Sequence, residues 1–599
     1  MFNYKIERRI DRRTFVKTGL LAGGTILGGK LVASKLADAT DGPPQAVSAA
    51  AAAPASALAG RPAKPNILVI VVDQLRYPQW LPGTVAASGG LPPNIARLGA
   101  EGVSFSHHYT ASNDCTPARA TLLTGLYTHQ TGCMITGGST LDPGFPTWGT
   151  MLREHGYRTR WYGKWHLTHG DNHWNQETGP PALARYGFAG ATFPSPDGAP
   201  GQGWRVDPTI ADDFGRWFEQ VDRREPWCAT VSFVNPHDIA WWYGWSDRVP
   251  AEAQAPSVAT QLPPNFETPE QLTAAGKPRL QLSMQETAAA SFGPVPFTGP
   301  GVTDAWLPFL DLYIKLQLEV DRHVGQVLDT LASRPEVAAN TVVLFTSDHG
   351  EYGASHGLRG KGASAYEEAI KVPLIVKDPR GLLAADPDIP REQLTSSVDV
   401  APLLLTLATG SNAWRARRRY SHLAHRLDIA GILEDSSAAG RPYVLHATDE
   451  VVTEFARELY AANAPLHIAA LRTEQAKYAT YSNWRAGGIE IERAGQEREL
   501  YDYSGHGGRL EVDNSAGESP LEGGLRELLA QAYATELRRP LPPHLRAARR
   551  RGFRDYFGVA TRAAVRAANR RAERELQELE GETAQSSRAR RPREPRIRA

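Results

Sequence analysis

The sequence predicts an α/β fold with a mixed, mostly parallel central sheet flanked by helices. Three continuous apolar runs predict strands buried on both faces, and polar residues follow each of them, within 66–76, 229–238 and 340–351. The apolar spacing of residues 307–333 is typical of a long helix between two of these strands. Because ligands of open α/β sheets bind beyond the carboxyl ends of the strands, the three polar ends predict one shared site.

A smaller C-terminal domain of the α+β class is predicted after this sheet. Residues 441–449, 467–484 and 496–505 have the pattern of antiparallel strands. Residues 522–539 have the pattern of a helix that closes the domain. The sequence therefore predicts two domains of different construction.

Shifts in composition give the expected boundaries. The main domain is predicted at 64–415, with a Pro-, Gly- and Ala-rich surface excursion at 247–305, and the C-terminal subdomain at 416–545. Residues 546–599 are rich in arginine and predict a basic, solvated tail, with binding to an anionic surface or polymer as the alternative. The formal net charge of +1 over 599 residues argues against a nucleic-acid partner for the whole molecule.

The N-terminal segment has the pattern of an export signal. Arg12 and Arg13 precede "TFVK" and a short apolar run that is too short for a membrane-spanning helix. This resembles a bacterial twin-arginine signal, with "ADA" at 37–39 as a cleavage site. The resemblance implies a signal peptide at 1–39, a disordered linker at 40–63, transport by the twin-arginine machinery and a periplasmic or secreted product. A basic arm and an uncleaved anchor are the alternatives.

The chain has only three cysteines, of which Cys115 has the most informative surroundings. A helix is predicted to begin at or just after it, because proline is tolerated in a first helical turn. The free N–H groups and the dipole of a helix start favour an anion there. The other two, Cys133 and Cys228, are expected either to pair as a disulfide in an oxidising compartment or to be buried thiols.

The stretch "CTPARATLLTG" at 115–125 is similar to the signature of the sulfatase family, C-[ST]-P-[SA]-R-x-x-L-x-T-G, at every fixed position. Further stretches similar to the family follow in the family's order, at 162–167, 235–239, 347–362 and 499–516. The resemblance runs from near Pro65 to about Ala516, with the exception of the excursion. It implies an alkaline-phosphatase-like fold. The main domain is then catalytic, and Cys115 is oxidised to formylglycine (3-oxoalanine) by a formylglycine-generating enzyme.

The expected metal site lies at the ends of two predicted strands, with Asp73 and Gln74 at one and Asp348 and His349 at the other. Oxygen ligands suit a hard cation, and the resemblance implies that these four residues and residue 115 hold one divalent ion. Ca²⁺ is expected, with Mn²⁺ and Mg²⁺ as alternatives. Many relatives have a second acid where Gln74 stands and asparagine where His349 stands. The nitrogen ligand favours Mn²⁺, and His349 could instead contact the substrate or support a ligand.

The resemblance also implies the chemistry of residue 115. The hydrate of formylglycine is a gem-diol: one oxygen attacks sulfur and expels the alcohol, and the second hydroxyl then loses its proton, so that the aldehyde re-forms and sulfate leaves. Arg119, one helical turn from Cys115, is expected to hold the diol rather than to form a surface ion pair. Lys164 and His166 face the same way in an extended segment. Lys164 is expected to bind sulfate, and His166 to act as the base or, alternatively, to be a core histidine.

Other polar and aromatic residues complete the expected site. The resemblance implies that His237 and Lys361 bind sulfate and protonate the leaving oxygen. His356 is expected either to line the pocket or to cap a turn. The aromatic stretch after His237 predicts either a stacking wall for the substrate or an aromatic subcore, with Trp241, Trp242, Tyr243 and Trp245 as its members.

These observations predict an exported sulfatase, a sulfuric ester hydrolase that converts a sulfate ester to an alcohol and inorganic sulfate. A phosphonate monoester or phosphodiester hydrolase on the same scaffold is the alternative, favoured by Gln74 and His349. A non-catalytic binder of sulfated glycans is disfavoured, because a binder has no need of a modifiable cysteine.

Overall fold

The structure is a computed structural model that describes residues 64–78, 92–222, 224–242, 259–362, 364–383, 386–449, 464–485 and 490–558. The predicted signal and linker, the part of the predicted tail after residue 558, Tyr243 and Trp245 lie outside these residues. The strands are β1 (Asn66–Asp73), β2 (Val103–Phe105), β3 (His108–Tyr109), β4 (Arg158–Gly163), β5 (Trp227–Pro236), β6 (Thr341–Ser347), β7 (Leu374–Lys377), β8 (Thr395–Ser396), β9 (Val444–Thr448), β10 (His467–Arg472), β11 (Ala476–Trp484) and β12 (Ile491–Asp502).

The α-helices lie between and after these strands. They are α1 (Pro93–Ala100), α2 (Cys115–Thr124), α3 (Thr128–Thr131), α4 (Trp148–Glu154), α5 (Gly179–Ala184), α6 (Gln202–Glu219), α7 (Pro269–Ala274), α8 (Arg279–Phe292), α9 (Gly301–Ala332), α10 (Pro335–Ala338), α11 (Glu367–Ile370), α12 (Val400–Thr409), α13 (Ile429–Glu434), α14 (His506–Arg509) and α15 (Glu522–Ala532). Residues 546–558 are also helical.

Within the described chain, the central sheet has the strand order β2-β7-β6-β1-β5-β4. Strand β1 is parallel to β5 and β6, and β4 is parallel to β5, whereas β7 is antiparallel to β6. All eight residues of β1 are buried. Alternate residues of this strand enter two different cores, one on each face of the sheet. The predicted mixed, mostly parallel sheet is confirmed.

The C-terminal sheet is antiparallel, with the order β12-β11-β10-β9, as predicted. It lies against the segment that leads into α2, because the backbone N–H of Ala447 donates to the carbonyl oxygen of Ala111 at 3.0 Å. The imidazole Nδ1 of His446 lies 3.1 Å from the carbonyl oxygen of Thr110. The second domain therefore supports the approach to Cys115.

Two stretches predicted as surface segments pack on the body of the protein. The described part of the excursion contains α7 and α8, and α8 buries Leu280 and Met284. The helix at 546–558 places Tyr556 in a small core with Met134 and Ile135. The first residues of the predicted tail, 546–558, are therefore part of the fold and not a solvated tail.

The structure shows no disulfide bond between Cys133 and Cys228, so the predicted pairing is wrong. Both cysteines belong to the same core on one face of the central sheet. Burial raises the pKa of the Cys228 thiol. The alternative of buried thiols therefore describes this chain.

Among the described residues, no helix combines the length and apolar character needed to cross a membrane.

Candidate active site

The carboxyl edge of the central sheet brings the predicted residues together. Strand β1 ends at Asp73, β5 leads into His237, and β6 leads into Asp348 and His349. Helix α2 begins at Cys115 and points its N-terminus at the same edge. The Sγ atom of Cys115 lies 3.1 Å from Nε2 of His349 and 3.8 Å from Oδ1 of Asp73. One buried centre therefore unites three strand ends and a helix start.

Four side chains at this centre form a group that fits a divalent cation. Asp73, Cys115, Asp348 and His349 are fully buried, and each offers a ligand atom within 4.8 Å of the others. The Nε2 atom of His349 lies 3.7 Å from Asp73 Oδ1 and 3.8 Å from Asp348 Oδ1. The Nδ1 atom of the same ring lies 3.0 Å from the carbonyl oxygen of Gly350, which turns Nε2 towards the carboxylates.

Gln74 is held beside this group by several bonds. Its backbone N–H donates to Asp348 Oδ1 at 3.1 Å, and its amide oxygen accepts a hydrogen bond from Lys361 at 2.7 Å. Its amide nitrogen donates to Glu351. Its φ of 68° is positive, a conformation that few residues other than glycine adopt. An amide oxygen has a second lone pair, so its predicted role as a metal ligand stays a prediction.

Cationic side chains compensate the buried carboxylates. Asp73 Oδ2 lies 2.8 Å from both Arg119 and Lys164, and Arg119 Nε lies 2.9 Å from Asp348 Oδ2. Burial alone would raise the pKa of Asp73, but Lys164, His237 and Arg119 hold it well below its usual value. Burial and the charge of Asp73 would each raise the pKa of the Cys115 thiol. Lys164, Lys361 and His349 nevertheless lower this pKa well below its ordinary value. The centre therefore favours an anion at residue 115.

The remaining predicted residues surround Cys115. His237 Nδ1 lies 3.2 Å from Asp73 Oδ1 and 3.3 Å from Lys361 Nζ. Lys164 Nζ lies 3.9 Å from Cys115 Sγ. The imidazole of His166 also interacts with the thiol, and burial together with Lys164 lowers the pKa of His166 to about 4. A neutral imidazole at physiological pH can accept a proton.

Residues 65–411, more than half of the chain, match the family model described as Sulfatase. The chain belongs to the sulfatase family. It is a sulfuric ester hydrolase. This sulfatase is 29% identical to the uncharacterised sulfatase YidJ of Escherichia coli strain K12, over 58% of its own length and 68% of that protein. It is 28% identical, with the same coverage, to the choline-sulfatase of Rhizobium meliloti strain 1021.

Solved structures share the alkaline-phosphatase-like fold of this sulfatase. A 2-O GAG sulfatase superposes with a TM-score of 0.57 at 22% identity, covering 80% of this chain and 93% of the other. A phosphonate monoester hydrolase from Silicibacter pomeroyi superposes with a TM-score of 0.58 at 19% identity, covering 80% and 97%. This fold therefore occurs both in a sulfatase and in a phosphonate monoester hydrolase, so the fold alone does not identify which ester is hydrolysed.

A cavity of about 110 Å³ opens above residue 115 of the sulfatase. Its wall includes the predicted site residues Cys115, His166, His237 and Lys361, together with Trp241, Trp242 and residues of α8, namely Met284, Thr287, Ala288, Ser291 and Phe292. The rings of Trp241 and Phe292 meet edge to face at 6.0 Å. Trp242 also packs on Phe309 at 5.1 Å. Trp241 and Trp242 therefore line the cavity, and Trp242 also belongs to an aromatic core, whereas stacking on a substrate stays a prediction.

His356 lies in a different environment from the other histidines of the sulfatase. It has a positive φ of 57°, stacks on Tyr366 at 3.6 Å between ring centroids, and places Nδ1 2.6 Å from Glu267. It is buried and is not among the residues of the cavity wall. It therefore supports a turn, and the alternative of pocket lining is wrong.

Two residues of the site were not predicted from the sequence. Asp114 precedes the cysteine, lines the cavity and accepts a hydrogen bond from Thr448 of the C-terminal sheet at 3.3 Å. Burial raises its pKa to about 6. A Cβ atom on Gly198 would lie 2.5 Å from His237 Nε2 and 2.8 Å from Lys164 Nζ. Its position beside Cys115 in the chain could have indicated Asp114, whereas no local signal indicates Gly198.

Proposed function

We propose that the protein hydrolyses a sulfate ester to an alcohol and inorganic sulfate, with oxidised residue 115 as the nucleophile and one divalent cation beside it. The observation that carries the proposal is the position of Cys115 Sγ, buried at the start of α2 beside His349 and between two carboxylates and Lys164. The motif at 115–119 is the one that a formylglycine-generating enzyme would modify. The N-terminal pattern adds export by the twin-arginine machinery to the periplasm or the medium.

The cation in this proposal would be held by Asp73, Asp348, His349 and residue 115, with the amide oxygen of Gln74 as a further ligand. Two carboxylates and an oriented imidazole suit such an ion. Ca²⁺ is expected, with Mn²⁺ and Mg²⁺ as alternatives. The ion would supply positive charge that neutralises the sulfate and orients the nucleophile.

The cationic side chains of the chain then have separate tasks. Arg119 holds Asp73 and Asp348 in place and contributes charge beside residue 115. Lys164 binds the non-bridging oxygens of the sulfate, which spread negative charge in the transition state. His237 and Lys361, at 3.3 Å from one another, bind the sulfate and donate a proton to the leaving oxygen. His166, held neutral, accepts the proton from the hydroxyl of residue 115 that regenerates the site.

The test measures the modification of residue 115 and the hydrolysis of a sulfate ester in the same preparations of the protein. Protein made together with a formylglycine-generating enzyme is digested with trypsin, and the mass of the peptide 98–119 is measured alongside hydrolysis of 4-nitrophenyl sulfate. We expect an aldehyde or its hydrate in place of the thiol, and activity that rises with the modified fraction. Cys115→Ala should abolish turnover, whereas Cys228→Ala, a change at a buried thiol of the core, should retain it. Equal turnover of Cys115→Ala and the parent protein would refute the proposal.

A phosphonate monoester or phosphodiester hydrolase is the second candidate, favoured by Gln74 and His349 at the metal group. Sulfate, phosphonate and phosphodiester substrates with one common chromogenic alcohol distinguish the two, because only the transferred group differs. We expect a higher kcat/KM for the sulfate ester. A higher value for either phosphorus ester would assign the second function and leave the role of residue 115 intact.

A further inference from the structure

We propose that His129, Asp449 and His467 form a second metal site, separate from the catalytic centre, that binds a divalent transition metal such as Zn²⁺ and joins the C-terminal sheet to the catalytic domain. His129 lies on α3, Asp449 follows β9, and His467 begins β10. The three residues are at most 2% exposed. They come from parts of the chain that are far apart in sequence, so only the fold brings them together.

The geometry fits a metal ion. Each of the three residues offers one ligand atom, and these atoms all lie within 4.8 Å of one another. His129 Nε2 lies 3.6 Å from Asp449 Oδ2, close to the spacing of two ligands on one zinc ion at bond lengths of about 2.0–2.1 Å. His467 Nδ1 contacts the other oxygen of the same carboxylate. Two imidazoles therefore meet one buried carboxylate.

Several polar atoms of this group lack hydrogen-bond partners in the described part of the chain. His129 Nε2, Asp449 Oδ2 and His467 Nε2 are buried and make no hydrogen bond there. Buried polar atoms are nearly always satisfied, because an unpaired one has lost its hydrogen bonds to water without replacement. Three such atoms within one group of ligand types indicate a missing partner. A cation would satisfy His129 Nε2 and Asp449 Oδ2 together.

The surroundings hold the rings and the carboxylate in place. The indole N–H of Trp484 donates to Asp449 Oδ1 at 3.0 Å, and the indole stacks on His129 at 5.5 Å between ring centroids. Thr128 Oγ1 lies 3.4 Å from His129 Nδ1, which turns Nε2 towards Asp449. Tyr533 meets both imidazoles edge to face. Aromatic contacts and hydrogen bonds therefore fix the orientation of the ligands, as in a structural metal site.

The donor set selects the class of ion. Two imidazole nitrogens and one carboxylate oxygen suit zinc and related transition metals better than Ca²⁺, which prefers six to eight oxygen ligands. The ion would connect α3, which follows the catalytic helix α2, to β9 and β10. Thr448, the neighbour of Asp449, donates to Asp114 beside Cys115. We therefore infer a structural role that also steadies the entrance to the active site.

The experiment measures metal content in the untagged, full-length protein by mass spectrometry. The Asp348→Asn protein, in which the catalytic group is altered, is incubated with Zn²⁺, dialysed against metal-free buffer, and compared with double variants that add Asp449→Asn or His129→Gln. We expect about one equivalent of zinc that survives dialysis in Asp348→Asn, and its loss when Asp449→Asn or His129→Gln is added. His446→Gln is the matched control, because this buried histidine of β9 contacts a carbonyl oxygen instead.

Cobalt provides a second measurement that leaves His129, Asp449 and His467 unchanged. Co²⁺ added to the folded Asp348→Asn protein should give the visible absorption of a site with few ligands, and Zn²⁺ should displace it. Retention of the same zinc when Asp449→Asn is added to Asp348→Asn, or the absence of retained zinc and of a cobalt spectrum in the Asp348→Asn protein, would overturn the proposal. Either result is independent of sulfatase turnover, so it separates this site from the proposed reaction.

Discussion

The carboxylate of Asp73 carries an unusual density of contacts for a single residue. Arg119 and Lys164 lie 2.8 Å from one oxygen, and His237 lies 3.2 Å from the other. An uncompensated carboxylate would be costly at this depth, whereas these partners keep it charged and fix their own positions around residue 115. The side chain that is expected to hold the cation thus also arranges the groups that are expected to hold the sulfate.

Gly198 is predicted to be essential because it leaves space for two of these groups. An alanine Cβ at this position would lie 2.5 Å from His237 Nε2 and 2.8 Å from Lys164 Nζ, so both side chains would have to move. We expect Gly198→Ala to lower kcat by at least about 100-fold, the effect of misplacing catalytic groups by an ångström. Turnover of a chromogenic sulfate ester and the thermal midpoint are the measurements.

Gly170 offers the matched control for this substitution. Its φ of 78° is positive, as is the φ of 100° at Gly198, but a Cβ atom there would meet nothing within 4 Å. Gly170→Ala should therefore report the cost of backbone strain alone and keep kcat. Similar losses of kcat in the two variants would contradict the predicted clash.

Stability at mildly acidic pH is predicted to depend on His108. This histidine of β3 is fully buried, places Nδ1 2.9 Å from Thr395 Oγ1, and has a pKa lowered by burial to about 4. The unfolded chain, with a pKa near 6.5, binds the proton more tightly, so stability is full above that value and falls as pH decreases towards 4. The contribution of this residue is at most about 3 kcal/mol.

Urea unfolding at pH 7.5 and at pH 5 checks this prediction. His108→Asn should be destabilised at pH 7.5 through its altered contact with Thr395, yet it should lose less stability than the parent protein between the two values. An equal loss in both proteins would show that other groups dominate this range.

Residues near strand ends were predictable, and residues that meet through long-range contacts were not. A continuous apolar run marks a buried strand, so Asp73, Asp348 and His237 could be assigned to one sheet edge. Gly198, His129 and Asp449 carry no such local pattern, because their significance depends on which distant segment packs against them. The cysteine pairing failed for the same reason: Cys133 and Cys228 belong to one core and yet are both free thiols.

At the scale of elements, α8 differs most from its prediction as a surface excursion. The depth, shape, apolar lining and accessibility of the active-site cavity depend on whether a helix of this kind is present. Its Met284 and Phe292 face the cavity that β5 and α2 open, and its Leu280 is buried in another core. A proline- and glycine-rich composition indicates loops, but it does not reveal that a helix within them covers the active site.

Phe292 is predicted to determine the affinity for aromatic esters. Its ring lines the cavity and meets Trp241 edge to face at 6.0 Å. Removing an aromatic contact costs about 0.5–1.5 kcal/mol, so Phe292→Ala should raise KM for an aryl sulfate up to about tenfold. The value of kcat should remain within about twofold, because the ring has no part in the proposed chemical step.

A short alkyl sulfate is the control substrate, since it would not reach this ring. Its KM should be the same in the two proteins. A fall in kcat for both substrates would mean that Phe292 supports the catalytic groups instead of the alcohol.

At the scale of the whole molecule, a buried charge network joins the two domains. Glu536, after α15, contacts Arg426 at 3.2 Å and Arg441 at 3.3 Å, and it accepts a hydrogen bond from Tyr127 at 3.0 Å. Arg426 also donates to the carbonyl oxygen of Gly125, which ends helix α2. The C-terminal domain is therefore connected to the end of the catalytic helix as well as to its beginning.

This network predicts that the two domains unfold as one unit. Glu536→Ala leaves two buried guanidinium groups with less compensation, although Arg441 keeps a second carboxylate, that of Asp399 at 2.6 Å. We expect a loss of about 3–5 kcal/mol in the free energy of unfolding, the cost of breaking a buried ion pair.

Glu527→Ala, at an exposed position of α15, should change the free energy of unfolding by less than about 0.5 kcal/mol. Tryptophan fluorescence and residual activity, followed together in urea, should fall in a single transition for each variant. Two separated transitions in the parent protein would show that the catalytic domain keeps its fold without the network, in which case the contacts at Gly125 and Tyr127 would not stabilise it.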